Sequence, residues 1–132
     1  MTSPYEGVSP ERWSRVTAEL VEAFPLKGDE LVAVAMASWE EIYASSFGNG
    51  KLVVGRDIFL PAQATGVIFE RLFALNLNRN DTSWRGGRTK AEKDIVFDGE
   101  AQFSFEVKTS SSRDGIFGNR STGLLSNGRR KR

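Results

Sequence analysis

The sequence predicts a single mixed α/β domain of the α+β type, with helices in its first part and short β-strands towards its end. Apolar residues recur at spacings of three and four over much of residues 10–77, which is the period of an amphipathic helix. Residues 101–108 instead alternate between apolar and polar side chains, as a half-buried strand does. The chain of 132 residues, 39% of them hydrophobic, has the size and composition of one packed domain.

The first helix is predicted to begin at Ser9-Pro10-Glu11 and to end before Pro25. Serine is a frequent N-cap residue, and proline is tolerated in the first turn because its missing N–H would have no partner there. The apolar stripe of this helix comprises Trp13, Val16, Leu20 and Phe24.

A second helix is predicted from Asp29 to Ser46, where the tripeptide Gly48-Asn49-Gly50 stops it. Its apolar stripe, which we expect to be core, comprises Leu31, Val34, Ala35, Ser38, Trp39, Ile42 and Tyr43. The following segment, residues 51–60, is partly β-branched and fits either a strand or an extended chain.

The third helix is predicted to start at Pro61 and to run through residue 77. Gly66 within this helix costs about 1 kcal/mol relative to alanine, unless close packing requires it. Residues 78–93 are rich in Asn, Gly, Arg and Lys, and we expect them to form a basic loop. The side chains of the third helix expected to face inward are Val67, Ile68, Leu72 and either Phe73 or Leu75.

Two predicted strands follow, at residues 94–97 and 101–108. Asp94 lies on the polar face of the first strand, and Ile95 and Phe97 lie on its apolar face. The polar face of the second strand comprises Gln102, Ser104, Glu106 and Lys108.

The loop between these strands decides which polar side chains face each other. A two-residue turn at Asp98-Gly99 would mix the polar and apolar faces of the hairpin, because the register would shift by one residue. A loop of three residues places Asp94 opposite Ser104, and a loop of five residues places Asp94 opposite Glu106. Both longer loops keep one apolar face continuous.

Either longer loop brings the carboxylates of Asp94 and Glu106 close enough to share a divalent cation, whereas without a cation the two charges repel each other. Lys108 shares the face of Glu106, and its ammonium group would orient a water molecule or neutralise charge on phosphorus. Asp98 is a rival to Asp94, although Asp98 with Gly99 fits a turn better. The alternative is that these side chains are only the solvated face of a hairpin.

Composition excludes several kinds of chemistry. The chain contains neither histidine nor cysteine, so it has no Cys/His zinc site and no Ser-His-Asp or Cys-His nucleophile pair. Catalysis at neutral pH would then depend on carboxylates, lysines, a hydroxyl group or a hard cation such as Mg²⁺. The lack of cysteine, of a signal-peptide pattern and of a long apolar run predicts a cytoplasmic protein that does not enter a membrane.

Charge is distributed unevenly along the chain. The first 50 residues carry eight acidic and three basic side chains, whereas residues 51–132 carry nine acidic and fifteen basic ones. A basic second part suggests that it meets a polyanion.

The pattern of Asp94, Glu106 and Lys108 fits the signature of the PD-(D/E)xK nuclease superfamily, an aspartate followed by Asp/Glu-x-Lys. The longer strings "VVGRDIFLPAQATGVIFERLFALNL" and "DIVFDGEAQFSFEVKTSSSRDGIFGNRS" resemble the ScaI-type restriction endonucleases, a type II family in that superfamily. The resemblance covers roughly residues 50–128, and "EVKTSSS" with "GIFGNRS" is its most specific part.

This resemblance implies a restriction-endonuclease-like core, in which the N-terminal helices pack against a small mixed sheet. It also implies a Mg²⁺-dependent endonuclease that cuts double-stranded DNA at a specific sequence, as a homodimer. Asp94 and Glu106 would bind the metal, and Lys108 would position the attacking water. Glu70, in the preceding helix, is the candidate for a third carboxylate; its alternative is a surface residue paired with Arg71 or a loop cation.

Two segments carry side chains suited to contact DNA, and the resemblance favours such contacts for the first of them. The first segment, beside the proposed metal, comprises Asn119, Arg120 and Ser121. The second is a basic stretch in which Arg85, Arg88 and Lys90 are the chosen candidates for a phosphate clamp; the whole stretch comprises Arg79, Trp84, Arg85, Arg88, Lys90 and Lys93. Asn and Arg side chains are suited to read bases, and basic side chains to bind phosphates. For both segments the alternative is a solvated loop.

The expected organisation is one domain over residues 1–132, with an N-terminal helical part (1–48), an endonuclease core (49–128) and a basic tail (129–132). The superfamily core continues with a further helix and strand after the Glu-x-Lys strand, so we expect this core to be incomplete at its C terminus. Two alternatives to an active restriction enzyme follow: a truncated, inactive or partner-requiring DNA-binding fragment, and a structure-specific repair nuclease.

Overall fold

The computed structural model describes residues 3–110. This part of the chain forms three α-helices, two 3₁₀ turns and two antiparallel two-stranded sheets. The predicted mixed α+β fold class is therefore confirmed. The expected DNA contacts at Asn119, Arg120 and Ser121, and the basic tail at 129–132, lie outside the described residues.

Helix α1 spans Trp13–Ala23 and follows a 3₁₀ turn at Pro10–Arg12, whose N-cap is Ser9. The helix ends because Phe24 is extended, the conformation that a following proline imposes on the residue before it. The predicted end before Pro25 is thus confirmed. No residue of α1 is buried, and Phe24 instead makes the contact with the core.

Helix α2 spans Gly28–Tyr43 and ends three residues before the predicted limit at Ser46. Two short strands follow, β1 at Ser46–Phe47 and β2 at Leu52–Val53, and they form an antiparallel hairpin. The predicted stop signal is the tip of this hairpin: Gly48, Asn49 and Gly50 all have positive φ angles, which glycine and asparagine adopt most readily.

The apolar stripe of α2 is only partly core. Val34 and Ile42 are buried, but Trp39 and Tyr43 remain 43% and 44% exposed, so their predicted burial was wrong. The two rings contact each other on the surface of the helix, with centroids 5.3 Å apart and planes inclined at 60°.

Helix α3 spans Ala62–Asn80 and packs against α2. Polar groups fix this contact: the hydroxyl of the fully buried Ser38 donates to the Val34 carbonyl (2.7 Å) and accepts from Asn76 Nδ2 (3.0 Å). The buried residues of α3 are Phe73, Ala74 and Leu77. Val67 and Leu75 are exposed, so the expected inward direction of Val67 was wrong, and Phe73 is the correct alternative to Leu75.

The predicted basic loop contains a strand that the sequence analysis missed. Strand β3, Trp84–Gly86, pairs antiparallel with β4, Ile95–Phe97, so that Trp84 faces Phe97 and Gly86 faces Ile95. Trp84 is only 1% exposed and fills the core. Residues 78–93 are therefore not simply a solvated loop.

The predicted strand at 101–108 was also wrong. Ala101–Phe103 form a 3₁₀ turn, and only Phe105 pairs with β4, through an isolated antiparallel bridge to Ile95. This pairing is nevertheless the register of the five-residue loop, which the sequence had left open beside the three-residue one.

An aromatic cluster holds these elements together. The Trp84 ring lies 4.5 Å from Phe97, 5.8 Å from Phe105 and 6.0 Å from Phe24. Phe105 also meets Phe73 of α3 edge-on at 6.2 Å. The buried side chains next to the proposed metal ligands are thus anchored to α1, α3 and β3 together. Over residues 3–110, no helix combines the length and apolarity needed to span a bilayer.

Candidate active site

The carboxylates of Asp94 and Glu106 face each other at one end of β4. Ile95 and Phe105 exchange both backbone hydrogen bonds, at 2.9 Å and 2.8 Å, so the preceding Asp94 and the following Glu106 are opposite neighbours. Because side chains alternate along extended chain, burial of Ile95 and Phe105 directs both carboxylates to the opposite face.

The closeness of the two carboxylates affects the pKa of Glu106. A hydrogen bond to the Asp94 side chain raises the pKa of Glu106, and partial burial and the negative charge of Asp94 act in the same direction. Two carboxylates this close favour a shared proton or a shared cation over two free charges. The pair therefore has the electrostatics of a cation site.

Asp94 is also fixed from its other side. Its Oδ2 accepts a hydrogen bond from the backbone N–H of Val107 at 2.9 Å, between the positions of Glu106 and Lys108. The rival Asp98 is directed elsewhere, because its carboxylate accepts from Arg85 Nε at 3.1 and 3.2 Å. The structure thus brings Asp94 to Glu106, and pairs Asp98 with Arg85.

Glu70 of α3 lies in the same electrostatic neighbourhood. Partial burial raises its pKa, and the negative charges of Asp94 and Glu106 raise it further. The positive charges of Arg71 and Lys108 oppose this rise. The carboxyl groups of Glu70, Asp94 and Glu106 do not converge into a three-ligand cluster anywhere in residues 3–110.

Two lysines approach the carboxylates. Lys108 is exposed and lowers the pKa of Glu106 against the effect of Asp94. Lys93, which the sequence analysis assigned to the basic stretch and not to the carboxylates, lies with its Nζ 3.9 Å from Glu106 Oε1. The only signal for Lys93 in the sequence is its position immediately before Asp94.

The donor chemistry of this pair fits a magnesium ion. Mg²⁺ prefers oxygen ligands and is usually held by one or two carboxylates together with waters. Asp94 and Glu106 supply two such side chains side by side, and a cation would relieve the repulsion that raises the pKa of Glu106. Glu70 would hold a cation only through a water molecule or after a shift of its side chain.

A cavity of about 480 Å³ opens beside Asp94, between α3 and the β3–β4 segment. Its walls are formed by Glu70, Arg71, Ala74, Leu75, Asn78, Arg85, Gly86, Gly87, Arg88 and Asp94. Arg71 and Asn78 had not been linked to the site by the sequence analysis. The only indication of their role in the sequence is their position relative to Glu70: Arg71 follows it directly, and Asn78 lies about two helical turns after it.

The three side chains of the predicted phosphate clamp have different surroundings. Arg85 forms ion pairs with Glu92 and Asp98, and its side chain is only 16% exposed. Hydrogen bonds from Arg85 and from the Arg88 backbone lower the pKa of Glu92 to about 2. Arg88 lines the cavity, and Lys90 is exposed on the loop.

Comparison with known proteins identifies the family of the chain. The family model described as ScaI restriction endonuclease matches residues 3–131. The type II restriction enzyme ScaI of Streptomyces caespitosus is 42% identical over 130 residues, which are 98% of this chain and 57% of that enzyme. The chain thus spans somewhat more than half the length of the relative. No solved structure matched the chain. The protein belongs to the ScaI restriction endonuclease family.

Proposed function

We propose that this protein is a Mg²⁺-dependent type II restriction endonuclease, which hydrolyses phosphodiester bonds of double-stranded DNA at a specific sequence. The observation that supports this most is the placement of Asp94 opposite Glu106, with Lys108 two residues further, in a member of a restriction endonuclease family. Activity in the cytoplasm fits a chain without cysteine.

Asp94 and Glu106 are the residues that hold the cation in this proposal. The Val107 N–H fixes Oδ2 of Asp94, and the cation would replace the hydrogen bond that joins the side chains of Asp94 and Glu106. When bound, the cation supplies Lewis-acid stabilisation of charge on the phosphate and activation of water. Glu70, half-buried on α3, would support the cation through a water molecule.

Lys108 positions the attacking water and offsets negative charge that develops on the phosphate. Its charge already acts on both Glu70 and Glu106, which places it within electrostatic reach of the metal ligands. Lys93 is a structural rival for this role, because its Nζ approaches Glu106 from the β4 side.

DNA contacts come in this proposal from the loop between β3 and β4, at Arg88 and Lys90, and from Asn119, Arg120 and Ser121. Arg85 belongs to the same surface, but its guanidinium group is already paired with Glu92 and Asp98. We therefore assign Arg85 to holding the DNA-binding loop in place.

A homodimer follows from the number of catalytic pairs. Each chain brings one pair of Asp94 and Glu106 in its described part, whereas a duplex has two antiparallel strands related by two-fold symmetry. Two copies of the chain place one site on each strand. Sedimentation with and without a duplex oligonucleotide measures this, and a mass of two chains on one duplex is the expected result.

Incubation with plasmid DNA, in Mg²⁺ and in EDTA, tests the function. We expect discrete Mg²⁺-dependent bands, and a loss of about 10²-fold or more in rate for Lys108→Ala, by analogy with removal of a single transition-state donor. Lys93→Ala is the matched comparison, and we expect it to retain cutting. Loss of cutting in Lys93→Ala alone would move the role to Lys93.

The other outcomes identify the alternatives. Cutting that depends on DNA ends or junctions, without discrete bands, would favour the structure-specific repair nuclease. DNA binding without cutting by folded protein would favour the partner-requiring or inactive form.

A further inference from the structure

The cavity beside Asp94 is built between two elements that present cations to it. Arg71 enters its lining from α3, and Arg88 enters from the loop that follows β3. The loop returns the chain to Asp94 through a hydrogen bond of 3.0 Å from the Gly87 N–H to the Asp94 carbonyl. The same short turn therefore places Arg88 and the proposed metal ligand Asp94 at one cavity.

Glycine makes this turn possible. A Cβ atom on Gly87 would overlap with the backbone carbonyl oxygen of Lys93, and one on Gly86 would meet the Cβ of Ala74 at 3.5 Å. The cavity wall formed by the two glycines is thus backbone, which leaves space between α3 and the loop.

The guanidinium groups around the cavity differ in their partners. Arg85 is held by the carboxylates of Glu92 and Asp98. Over residues 3–110, the side chains of Arg71 and Arg88 form no ion pair. Arg71 acts on Glu70 only through its charge, lowering the pKa of that carboxyl.

We propose that this cavity binds a backbone phosphate of the DNA strand that is cut, next to the scissile phosphate, with Arg71 and Arg88 as its two cations. The inference rests on the proposed function and adds to it a second phosphate site and one residue, Arg71, that the metal site does not require.

Three features favour a phosphate over an uncharged group. The guanidinium groups of Arg71 and Arg88 have no carboxylate partner over residues 3–110. A guanidinium group forms bidentate hydrogen bonds with phosphate oxygens, so a phosphate would supply the missing partner. Asp94 lines the cavity, so the cavity adjoins one member of the proposed metal pair, and a strand bound there would reach it with a neighbouring phosphate. The volume of about 480 Å³ holds a phosphodiester group with part of its sugar.

Arg79 provides a matched control on the same helix. It lies two turns after Arg71 on α3, is exposed, and donates to the side chain of its neighbour Asn76 at 3.0 Å. It does not line the cavity. Arg71→Gln and Arg79→Gln therefore remove the same charge from the same helix at different distances from the proposed phosphate.

The experiment measures binding of the full chain to a fluorescent duplex in EDTA, by anisotropy, over a series of salt concentrations. Each phosphate contact contributes about 0.9 to the slope of log K against log salt. We expect Arg71→Gln and Arg88→Gln each to lower the slope by about one contact. We expect Arg71→Lys to restore it, and Arg79→Gln to leave it unchanged. Melting curves of all variants verify that they are folded.

The outcomes separate this inference from the proposed function. Suppose that the wild-type chain binds DNA and cuts plasmid in Mg²⁺, but that Arg71→Gln and Arg88→Gln keep the wild-type slope of log K against log salt. The proposed phosphate site is then wrong, and the proposed nuclease function is unaffected. A slope lowered equally by Arg79→Gln also overturns it, since the effect is then one of net charge. If the wild-type chain neither binds nor cuts DNA, the proposed function and this inference fall together.

Discussion

A single backbone pairing determines the chemistry of Asp94 and Glu106. Once Ile95 and Phe105 pair, the alternation of side chains places both carboxylates on the same face, opposite each other. A register one residue away would bury a carboxylate and expose a core side chain. Burial of the apolar side chains therefore fixes the register that brings the two carboxylates together, although two negative charges repel each other without a cation.

Metal binding and cutting should depend less on Glu70 than on Asp94 and Glu106. It does not reach the other two carboxylates as a direct third ligand, so we expect Glu70→Gln to lower metal affinity and cutting by roughly 10–100-fold, as loss of an outer ligand does. Glu106→Ala should abolish cutting at any Mg²⁺ concentration. Titration of the cutting rate with Mg²⁺ measures both, and Glu70→Asp is the control that keeps the charge.

If Glu70→Gln abolished cutting at saturating Mg²⁺, Glu70 would have to be a direct ligand. Its side chain would then shift towards Asp94 when the cation binds.

At the scale of elements, the sequence predicted what has a local cause. The end of α1 and the start of α3 follow from Pro25 and Pro61, and the tip of the β1–β2 hairpin follows from the glycines at residues 48 and 50, which act on their own neighbours. The need for one continuous apolar face limited the register at Asp94 to two possibilities and left the choice between them open. These features require no knowledge of the rest of the chain.

The elements that the sequence missed depend on distant contacts. Strand β3 is three residues long, and Trp84 becomes core only because Phe24 and Phe97 approach it from other elements. Phe103 was expected to be the second apolar position of a strand, but a 3₁₀ turn brings its ring to Phe24 at 5.9 Å. The aromatic cluster joins residues that are far apart in the sequence, from Phe24 to Phe105, and these contacts outweigh the local preference of residues 101–103 for a strand.

Close packing at Gly66 links α3 to the segment after Lys108. A Cβ atom on Gly66 would lie 2.7 Å from Thr109 Oγ1. Alanine in a helix is favoured over glycine by about 1 kcal/mol. We therefore expect Gly66→Ala to raise the free energy of unfolding by about this amount only in a Thr109→Ala background, and to raise it less or lower it with Thr109 present.

Denaturant unfolding of the four proteins in this double-mutant cycle measures the coupling. Gly28→Ala, at the first residue of α2, is the control, because nothing lies within 4 Å of the added Cβ. It should change stability equally in both backgrounds. Equal effects of Gly66→Ala in both backgrounds would show that Thr109 does not contact the helix in solution.

For the whole molecule, two sets of carboxylates give stability opposite dependences on pH. The pKa of Glu92 is lowered from 4.5 to about 2 by its hydrogen bond with Arg85, so its contribution is present above pH 4.5 and is lost as the pH falls towards 2. The pKa values of Glu70 and Glu106 are raised above 4.5 instead. Their contribution is present below pH 4.5 and is lost as the pH rises through the raised values.

The cation should replace the proton that Glu70 and Glu106 lose. In EDTA, we expect the melting temperature to fall on the alkaline side of a maximum, and Mg²⁺ to reverse that fall, by about 2.7 kcal/mol at a concentration of 100 times its Kd. Glu106→Gln should flatten the alkaline side and remove the response to Mg²⁺, whereas Glu92→Gln should affect only the acidic side. Glu40→Gln, an exposed change on α2, is the control. An equal stabilisation of wild type and Glu106→Gln by Mg²⁺ would place the cation elsewhere, because only a ligand that binds through the paired carboxylates depends on both of them.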